Sequence, residues 1–331
     1  MSALFDNHGR PLNYLRLAVT DRCNLRCFYC MPEEGIQYMP KKELLTFEEI
    51  LTLVSLMASM GINKLRLTGG EPFVRNDLME LIKRLVEIPG IKDIHLTTNG
   101  ILTAPHIPAL KKLGISSVNL SLDTLDKQRF KTITRRDEFD NTFATLKSLL
   151  HHEIPVKINT VVMDGKNIED IIPIVELTKK NNVTVRFIEE MPFNGEGNHH
   201  GILPWNYKQI LQHIQSRFKD LQKMPDPENS TAFHYKVPGF SGSIGIIAAF
   251  SRTFCGTCNR LRVTAQGTLK TCLYDDGVLD IKALLRSGIS EQDLKQKLLR
   301  AFSQRAKDGF EAEKKRNDHQ PAHESMSTIG G

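Results

Sequence analysis

Residues 14–30 read YLRLAVTDRCNLRCFYC, a short apolar strand that runs directly into a loop with three cysteines. The strand pattern covers Tyr14–Val19, and the cysteines are Cys23, Cys27 and Cys30, with three and then two residues between them. In barrel-type α/β folds the loops after the strands build the active site. This stretch therefore predicts both a strand of a parallel sheet and a site at the end of that strand.

Short apolar strands alternate with amphipathic helices from about residue 14 to residue 218. After Tyr14–Val19, the candidate strands are Lys64–Thr68, Asp93–Thr97, Ser117–Ser121, Val156–Val162 and Val183–Ile188. Repeated strand–helix units are typical of a parallel sheet with helices outside it. The predicted fold class is therefore α/β, as an incomplete (βα)6 barrel of the TIM type. A doubly wound open sheet is the alternative that periodicity leaves open.

Three local signals predict where helices begin. Thr46 and Glu49 form a capping box before an apolar helical face. Asn167 with Asp170 predicts a second capped start, and Pro204 suits the first turn of a further helix.

The character of the sequence changes after the sixth strand–helix unit. The segment MPDPENS is typical of a linker, and Arg260–Ala265 with Gly267–Thr271 resembles a hairpin. The polar residues 304–331 are expected to be loose up to their final residues. We therefore predict two domains, a partial barrel over residues 1–220 and a small α+β domain over residues 221–331.

Size and composition indicate a globular protein without a membrane span. The chain has 331 residues, of which 40% are hydrophobic and 25% charged, and its net charge is +6. No apolar run approaches the roughly 20 residues of a membrane-spanning helix, and the N-terminus does not read as a signal peptide. The basic residues are dispersed without interleaved aromatic side chains, so we expect a cytoplasmic protein that binds neither membrane nor nucleic acid.

The six cysteines fall into two groups of three. The second group is Cys255, Cys258 and Cys272. In a cytosolic chain, clustered cysteines are more often metal ligands than disulfides. An iron–sulfur cube normally takes four thiolates, so three would leave one iron open for a cofactor or substrate. Zinc completed by a histidine is the alternative for either group, with His234 conceivable for the second.

Several candidate strands place one cation between apolar neighbours. These cations are Arg16, Arg66, Lys157 and Arg186. Arg260 and Arg262 stand two residues apart on the predicted hairpin, so both side chains share a face. Because a buried unpaired charge is costly, such cations require either acidic partners or an anionic ligand. Glu189 and Glu190 are the nearest acids, and we favour an anionic substrate.

The motifs after successive strands resemble the radical S-adenosylmethionine (SAM) superfamily. They are CxxxCxxC with an aromatic residue before its last cysteine, LTGGEP at Leu67–Pro72, TTNG at Thr97–Gly100 and SLD at Ser121–Asp123. The resemblance implies a 4Fe–4S cluster on Cys23, Cys27 and Cys30 whose open iron binds SAM, and cleavage of SAM to a 5′-deoxyadenosyl radical. The implied SAM contacts are Tyr29, Gly70, Glu71, Ser121 and Met191.

The C-terminal features narrow the resemblance to the GTP 3′,8-cyclases of molybdenum cofactor biosynthesis. They are FCGTCNRLRVTAQGTLKTCL, RFIEEM at Arg186–Met191 and the terminal Gly330-Gly331. The resemblance implies a second 4Fe–4S cluster that binds the guanine of GTP. It also implies abstraction of the ribose 3′ hydrogen and cyclisation to (8S)-3′,8-cyclo-7,8-dihydroguanosine 5′-triphosphate. The implied GTP contacts are Arg16, Arg66, Thr97, Lys157, Arg260, Leu261 and Arg262.

The same resemblance implies catalytic residues and partners. The catalytic residues are Cys23, Cys27, Cys30, Arg260, Arg262, and Gly330 with Gly331 as a mobile tail that reaches the site. The partners are a cyclic pyranopterin monophosphate synthase downstream and an electron donor such as flavodoxin or ferredoxin, and the protein would be a monomer or a homodimer. Two alternatives are a two-cluster radical SAM enzyme that modifies peptides and a non-catalytic zinc or electron-transfer protein.

Overall fold

The computed structural model of the chain describes residues 4–191, 193, 204–316 and 324–330. The backbone forms two compact units. Unit 1 comprises Met1–Asn24, Ile36–Thr97 and Cys255–Gly331, and unit 2 comprises Leu25–Gly35 and Thr98–Phe254. Unit 1 therefore combines residues from both ends of the chain. The domain boundary expected at residue 220 stays a prediction.

Strands and helices alternate along the first part of the chain, as the apolar periodicity predicts. The described strands are β1 (Tyr14–Ala18), β2 (Lys64–Thr68), β3 (Asp93–Thr98), β4 (Ser117–Ser121), β5 (Val156–Val162), β6 (Thr184–Glu189), β7 (Gln222–Lys223), β8 (Ala232–Lys236), β9 (Ser243–Ile247), β10 (Arg260–Val263), β11 (Thr268–Lys270) and β12 (Leu279–Asp280). The described α-helices are α1 (Phe47–Ser59), α2 (Leu78–Val86), α3 (Ile107–Lys112), α4 (Lys127–Thr134), α5 (Phe139–His151), α6 (Ile171–Glu176), α7 (Tyr207–Arg217), α8 (Ile281–Arg286), α9 (Glu291–Phe302), α10 (Gly309–Lys314) and α11 (Met326–Ile329). The six predicted strands are confirmed to within one residue at each end.

Unit 1 contains strands in the order β12–β11–β10–β1–β2–β3. The pairs β10–β1, β1–β2 and β2–β3 are parallel, whereas β10–β11 and β11–β12 are antiparallel. The predicted hairpin is therefore confirmed as β10 and β11. Its first strand also extends the parallel sheet beside β1, which the sequence pattern did not predict because the two strands are far apart in the chain.

Unit 2 contains strands in the order β4–β5–β6–β9–β8–β7. The pairs β4–β5, β5–β6 and β6–β9 are parallel, and β9–β8 and β8–β7 are antiparallel. Burial alternates along β5, where Val156, Ile158, Thr160 and Val162 are buried and the residues between them are half-buried. Each unit thus contains parallel strands from the first part of the chain and one strand from later in the chain that pairs in parallel with them. The later strand also begins or ends a set of antiparallel strands.

One of the three predicted helix starts is confirmed. The hydroxyl of Thr46 accepts a hydrogen bond from the Glu49 backbone N–H at 3.2 Å, and the Glu49 carboxylate accepts from the Thr46 N–H at 2.8 Å. Helix α1 follows this capping box, with Ile50, Leu53 and Met57 fully buried on its inner face.

At Asn167 the predicted position is right but the predicted cap is wrong, and at Pro204 the predicted start is wrong: a 3-10 turn, Ile168–Asp170, follows Asn167 and continues into α6. The side chain of Asn167 does not cap a helix; its oxygen accepts from the Met163 N–H and its amide donates to the carbonyl of Val161, so it braces the loop after β5. Helix α7 begins three residues after Pro204, and the side chain of Asn206 caps it by accepting from a backbone N–H. The local sequence could not show that the Asn167 side chain would bond to its loop or that Asn206 would cap α7, because such local side-chain bonds compete with one another for backbone groups.

The expectation that residues 304–331 are loose is wrong for the part that the structure describes. Arg305 is only 3% exposed, α10 is capped by Asp308, and α11 is capped by Ser325. Residues 317–323 and Gly331 lie outside the described residues. None of the helices in the described ranges has the length and apolar character that a membrane crossing requires.

Candidate functional site

Cys27 and Cys30 lie on one turn in unit 2. The backbone N–H groups of Cys30 and Met31 donate to the Cys27 carbonyl at 2.9 and 3.1 Å. The guanidinium of Arg135 donates to the carbonyls of Arg26 and Met31, which flank the turn. Both thiols are half-buried and neither forms a disulfide. Backbone hydrogen bonds and the Arg135 guanidinium therefore hold the turn that carries the two cysteines in shape.

Tyr29, between these cysteines, is fixed by a buried carboxyl group. Its hydroxyl donates to Asp123 Oδ2 at 2.8 Å, and Asp123 Oδ1 accepts from the Val161 N–H at 2.8 Å. Burial raises the pKa of Asp123 to about 6. Burial, the Asp123 carboxylate and the neighbouring thiolates raise the pKa of Tyr29 well above its usual value. The phenol therefore stays protonated, and its ring orientation is set by the SLD segment.

The glycine segment after β2 lies against the backbone that precedes Cys23 in unit 1. The Gly70 N–H donates to the Thr20 carbonyl at 2.9 Å, and the Glu71 N–H donates to the Arg22 carbonyl at 2.8 Å. A Cβ at Gly70 would stand 2.3 Å from the Arg22 oxygen, so no larger residue fits there. Glu71 is fully buried and accepts a hydrogen bond from a backbone N–H two residues later.

The predicted SAM contacts are distributed over both units. Gly70 and Glu71 belong to unit 1, whereas Tyr29, Ser121 and Met191 belong to unit 2. Ser121 ends β4 half-buried, and Met191 packs against the apolar cluster of residues 232, 247 and 249. Within unit 2 the structure links Tyr29 to the SLD segment. The SAM assignments of these residues stay predictions.

The second cysteine group lies entirely in unit 1. Cys255 begins a 3-10 turn in which the Cys258 N–H donates to the Cys255 carbonyl at 3.2 Å. The carboxylate of Asp275 accepts from the Cys272 N–H at 2.8 Å. Burial raises the pKa of the Cys272 thiol to about 12, with further contributions from Asp275 and the other two thiols. The three sulfur atoms are therefore close enough to influence one another electrostatically.

The thiol of Cys258 lies in a cationic environment. Arg260 Nη1 donates to its sulfur at 3.7 Å, and Arg305 Nη2 donates to it at 3.2 Å. Burial raises the pKa of Cys258, but the two guanidinium groups outweigh burial and bring the pKa down to about 7. The cationic environment thus favours the thiolate, which is the form that binds a metal.

The second cysteine group offers three thiolates, and His234, the histidine considered for zinc, has another partner. Within the described ranges, no three or more His, Cys, Asp and Glu side chains are arranged to hold a metal ion. His234 pairs with Asp226 at 3.2 Å. Thiolates are the usual ligands of a four-iron cube. Cys255, Cys258 and Cys272 would hold such a cube with one iron open.

A row of basic side chains crosses five strands of unit 1. Residues paired in register project from the same face of a sheet. The strand registers align Lys270, Arg262, Arg16, Arg66 and His95, which we call the basic row. Arg66, His95 and Lys270 are buried, and the other two are half-buried. His95 lies between Ile94 and Leu96, so the pattern that indicated the other strand cations was also present there.

The basic row shifts the titration of its own members. Burial and the neighbouring guanidinium of Arg262 lower the pKa of Arg16 well below its usual value, and burial with Arg260 lowers the pKa of Arg262 to about 10. Burial alone would raise the pKa of Tyr14, but Arg66 and Arg16 lower it to about 7. The Arg66 side chain also donates a hydrogen bond to the Tyr14 hydroxyl. These shifts indicate a strongly positive surface that favours an anion.

The end of the described chain lies on the basic row. The Gly330 carbonyl accepts hydrogen bonds from Arg262 Nη1 at 3.0 Å and Arg16 Nη2 at 3.4 Å. Gly330 has a φ of 78°, and a Cβ there would stand 2.9 Å from the Thr68 hydroxyl. Glu324 forms an ion pair with Lys270 at 3.4 Å. Gly331, the other predicted tail residue, lies outside the described residues.

The remaining predicted GTP contacts differ in how they can reach a ligand. Thr97 accepts a hydrogen bond from Arg66 Nη1 at 3.4 Å in unit 1. Leu261 is fully buried on the opposite face of β10, so only its backbone could touch a ligand. Lys157 is half-buried on β5 in unit 2, in register with Asn119. The GTP assignments of all seven residues stay predictions.

One acidic residue that could have neutralised the strand cations is engaged elsewhere. The buried carboxylate of Glu189 accepts hydrogen bonds from the Tyr207 N–H at 2.7 Å and from the N–H and hydroxyl of Ser251 at 2.7 and 2.8 Å. The Glu189 carboxylate therefore connects the loop at Ser251 to the start of α7.

In comparisons with known proteins, the N-terminal and the C-terminal parts of the sequence each match a family model. Two family models match, the Radical SAM superfamily over residues 17–178 and Molybdenum Cofactor Synthesis C over residues 183–311. Molybdenum cofactor biosynthesis protein 1 of Homo sapiens is 45% identical over 298 residues, which are 88% of this chain and 46% of the relative. GTP 3′,8-cyclase of Petrotoga mobilis is 40% identical over 336 residues, with 99% of this chain and 100% of the relative covered. The chain spans about half the length of the mammalian relatives that it matches.

Solved structures support the fold. SuiB of Streptococcus suis matches with a TM-score of 0.62 and 14% identity, over 89% of this chain and 67% of that one. The expected α/β class, an incomplete (βα)6 barrel with a C-terminal α+β domain, is confirmed by this likeness and by the family model. Membership of the radical SAM superfamily implies a 4Fe–4S cluster and SAM. From its likeness to the Petrotoga cyclase over the full length of both chains, we conclude that this chain belongs to the GTP 3′,8-cyclase family of the radical SAM superfamily.

Proposed function

We propose that the chain cyclises GTP to (8S)-3′,8-cyclo-7,8-dihydroguanosine 5′-triphosphate, the first step of molybdenum cofactor biosynthesis. The observation that carries the proposal is the basic row, because five basic side chains aligned on one sheet face favour an anionic ligand. Arg262 belongs to this row, and Arg260, two residues earlier on β10, donates to the sulfur of Cys258. One strand thus connects a surface for a triphosphate with the second cysteine group.

The arginines of the basic row are suited to phosphate groups. A guanidinium offers donors in a planar fork that matches phosphate oxygens, and it keeps its charge when buried better than an ammonium group does. Arg16 and Arg262 already share one acceptor, the Gly330 carbonyl, so their donors converge on a single point. A triphosphate oxygen at that point would receive two charge-assisted hydrogen bonds.

The proposal includes two clusters, although family membership by itself implies one. Cys23, Cys27 and Cys30 would hold the first, and the second cysteine group would hold the other. When bound, the first cluster with SAM supplies the hydrogen-abstracting radical, and the second supplies an open iron for the guanine. Tyr29, oriented by Asp123, would present its ring to SAM, and the glycine segment at Gly70 would let the ligand approach the backbone closely.

The predicted partners and location belong to the same proposal. A flavodoxin or ferredoxin would deliver the electron, and a cyclic pyranopterin monophosphate synthase would consume the product. The oligomeric state, a monomer or a homodimer, and a cytoplasmic location are likewise proposed. The resemblance of the sequence to the GTP 3′,8-cyclases supports the electron donor and the downstream synthase.

The alternatives account for less of the site. A peptide-modifying enzyme of the superfamily has no evident use for three arginines and a lysine in register, and an electron carrier has none for the SLD and glycine segments. Neither alternative explains why five basic side chains are aligned on one sheet face.

Anaerobic turnover tests the proposed reaction. The protein, reconstituted with iron and sulfide, is incubated with SAM, a strong reductant and GTP, and 5′-deoxyadenosine and GTP are quantified. We expect equal amounts of 5′-deoxyadenosine formed and GTP consumed. Replacement of GTP by ATP is the control and should give no cyclised product. Formation of 5′-deoxyadenosine without any loss of GTP would contradict GTP as the substrate.

Metal analysis tests the two-cluster part separately. The reconstituted chain should hold about eight irons, in two cubes of four. About four irons together with zinc would overturn the second cluster while leaving the first intact.

A further inference from the structure

One arginine outside every sequence motif holds the second cysteine group together. Arg305 follows α9 and is 3% exposed. Its Nε donates to the Thr271 carbonyl at 2.8 Å, next to Cys272, and its Nη1 donates to the Cys258 carbonyl at 2.7 Å. A single planar group therefore spans the two segments that carry Cys258 and Cys272.

The same guanidinium also contacts a ligand atom. Arg305 Nη2 donates to the sulfur of Cys258 at 3.2 Å and to the Arg260 carbonyl at 2.9 Å. Hydrogen bonds to cluster sulfurs are one of the factors that set the reduction potential of an iron–sulfur site. A positively charged donor stabilises the more negative, reduced state, so it raises that potential.

Buried ionic contacts fix Arg305 in this orientation. Asp6, whose side chain is fully buried, contacts Arg305 Nη1 at 3.2 Å and Arg10 Nε at 2.6 Å. Arg10 Nη1 donates to the Cys255 carbonyl at 3.0 Å. The Asp6–Arg10–Arg305 cluster thus contacts the segments of all three cysteines. Because a buried charge without its partner is strongly destabilising, the cluster holds these segments in one arrangement.

We propose that Arg305 is a positioning residue for the second cluster: it sets the spacing of the Cys258 and Cys272 segments and, through its bond to the Cys258 sulfur, raises the reduction potential of the cluster. The inference rests on the proposed function only in requiring a cluster on Cys255, Cys258 and Cys272. It adds a residue far from these cysteines in sequence that tunes the guanine-binding site.

The experiment isolates the second site in the full chain. In a parent protein with Cys23→Ala, Cys27→Ala and Cys30→Ala, only the second group can bind iron. Arg305→Gln removes the charge, Arg305→Lys keeps the charge but loses the planar fork, and Arg300→Gln changes an exposed arginine of α9 as the matched control. Iron content, the electron paramagnetic resonance spectrum and the midpoint potential are measured anaerobically.

We expect the parent and Arg300→Gln to hold about four irons with the same potential. Arg305→Gln should lose most of its iron, and the iron that remains should have a lower potential. Arg305→Lys should retain more iron than Arg305→Gln, with a potential between those of Arg305→Gln and the parent. A purely structural arginine would reduce the yield of folded protein without moving the potential of the cluster that forms.

The outcomes separate this inference from the proposed function. A parent protein that binds no iron would remove the second cluster, and the inference with it. A parent with four irons whose potential is unchanged in Arg305→Lys and Arg305→Gln would overturn the role of Arg305 alone. If Arg305→Gln does not fold, the potential of Arg305→Lys decides, and a value equal to that of the parent overturns the proposal.

Discussion

The two cysteine groups look alike in sequence but differ in the charged side chains that lie beside particular residues of each group. Beside Cys27 and Cys30, burial and the Asp123 carboxylate raise the pKa of Tyr29 well above its usual value. At Cys258, two guanidinium groups outweigh burial and lower the pKa of the thiol to about 7. Cysteine spacing thus indicates the capacity to hold a metal, whereas the surrounding charges distinguish one site from the other. The cationic surroundings suit a polyanionic nucleotide, and the neutral phenol with its carboxyl partner suits a cofactor that is itself cationic at sulfur.

The largest expected effect comes from removing one ligand from each group. Cys272→Ala should abolish GTP cyclisation while leaving SAM cleavage largely intact, because only the proposed substrate site loses a ligand. Cys27→Ala should abolish both activities. Product and 5′-deoxyadenosine are measured in the same anaerobic assay. If the Cys272→Ala protein still cyclises GTP, the two groups do not have the separate tasks that their surroundings suggest.

The second-largest effect is expected from a substitution in the basic row. Arg262→Ala should weaken GTP binding about 10- to 100-fold, since a hydrogen bond to a charged group contributes about 1.5–3 kcal/mol. SAM affinity should not change. Equilibrium binding to reconstituted protein measures both, with the exposed Arg300→Ala as the matched control. An unchanged GTP affinity would argue against triphosphate binding by the basic row.

A smaller effect distinguishes two glycines, Gly70 in the segment packed against the backbone before Cys23 and Gly256 within the second cysteine group. A Cβ at Gly70 would meet the Arg22 carbonyl at 2.3 Å, whereas a Cβ at Gly256 would meet nothing within 4 Å. Gly70→Ala should therefore lower the free energy of unfolding by about 1–3 kcal/mol through overpacking, and Gly256→Ala should change it little. Urea unfolding of the metal-free protein measures both variants. Equal stabilities would mean that the segment before Cys23 adjusts more easily than its hydrogen bonds to residues 70 and 71 suggest.

The smallest effect is the titration of one phenol. The pKa of Tyr14 is lowered from 10.0 to about 7 because the guanidinium groups of Arg66 and Arg16 outweigh its burial. Ultraviolet absorbance should therefore show one tyrosinate appearing near pH 7, which Tyr14→Phe should remove. Because the folded pKa lies below the unfolded one, the phenolate stabilises the fold fully above pH 10, and this contribution is lost as the pH falls to 7. If no tyrosine titrates near pH 7, the basic row is less positive than the alignment of its cations suggests.

The fold could be predicted where the signal is local. The strands β1 to β6 follow from apolar runs, and the capping box at Thr46 follows from side chains three residues apart. The parallel pairing of β10 with β1 could not be predicted, because its register joins residues such as Arg16 and Arg262 that are far apart in the chain. The side-chain cap expected at Asn167 is absent because that side chain bonds to the loop after β5, and the helix start expected at Pro204 lies instead after the capping residue Asn206.

The sequence by itself determined the two cysteine groups, the strand cations and the family-specific segments, because ligand type and spacing are local properties of the chain. Only the tertiary structure decided that Lys270 and His95 join the basic row, that Leu261 points away from it and that Arg305 donates to the Cys258 sulfur. These features depend on strand register and burial, which arise from contacts between distant segments and leave no periodic pattern in the sequence.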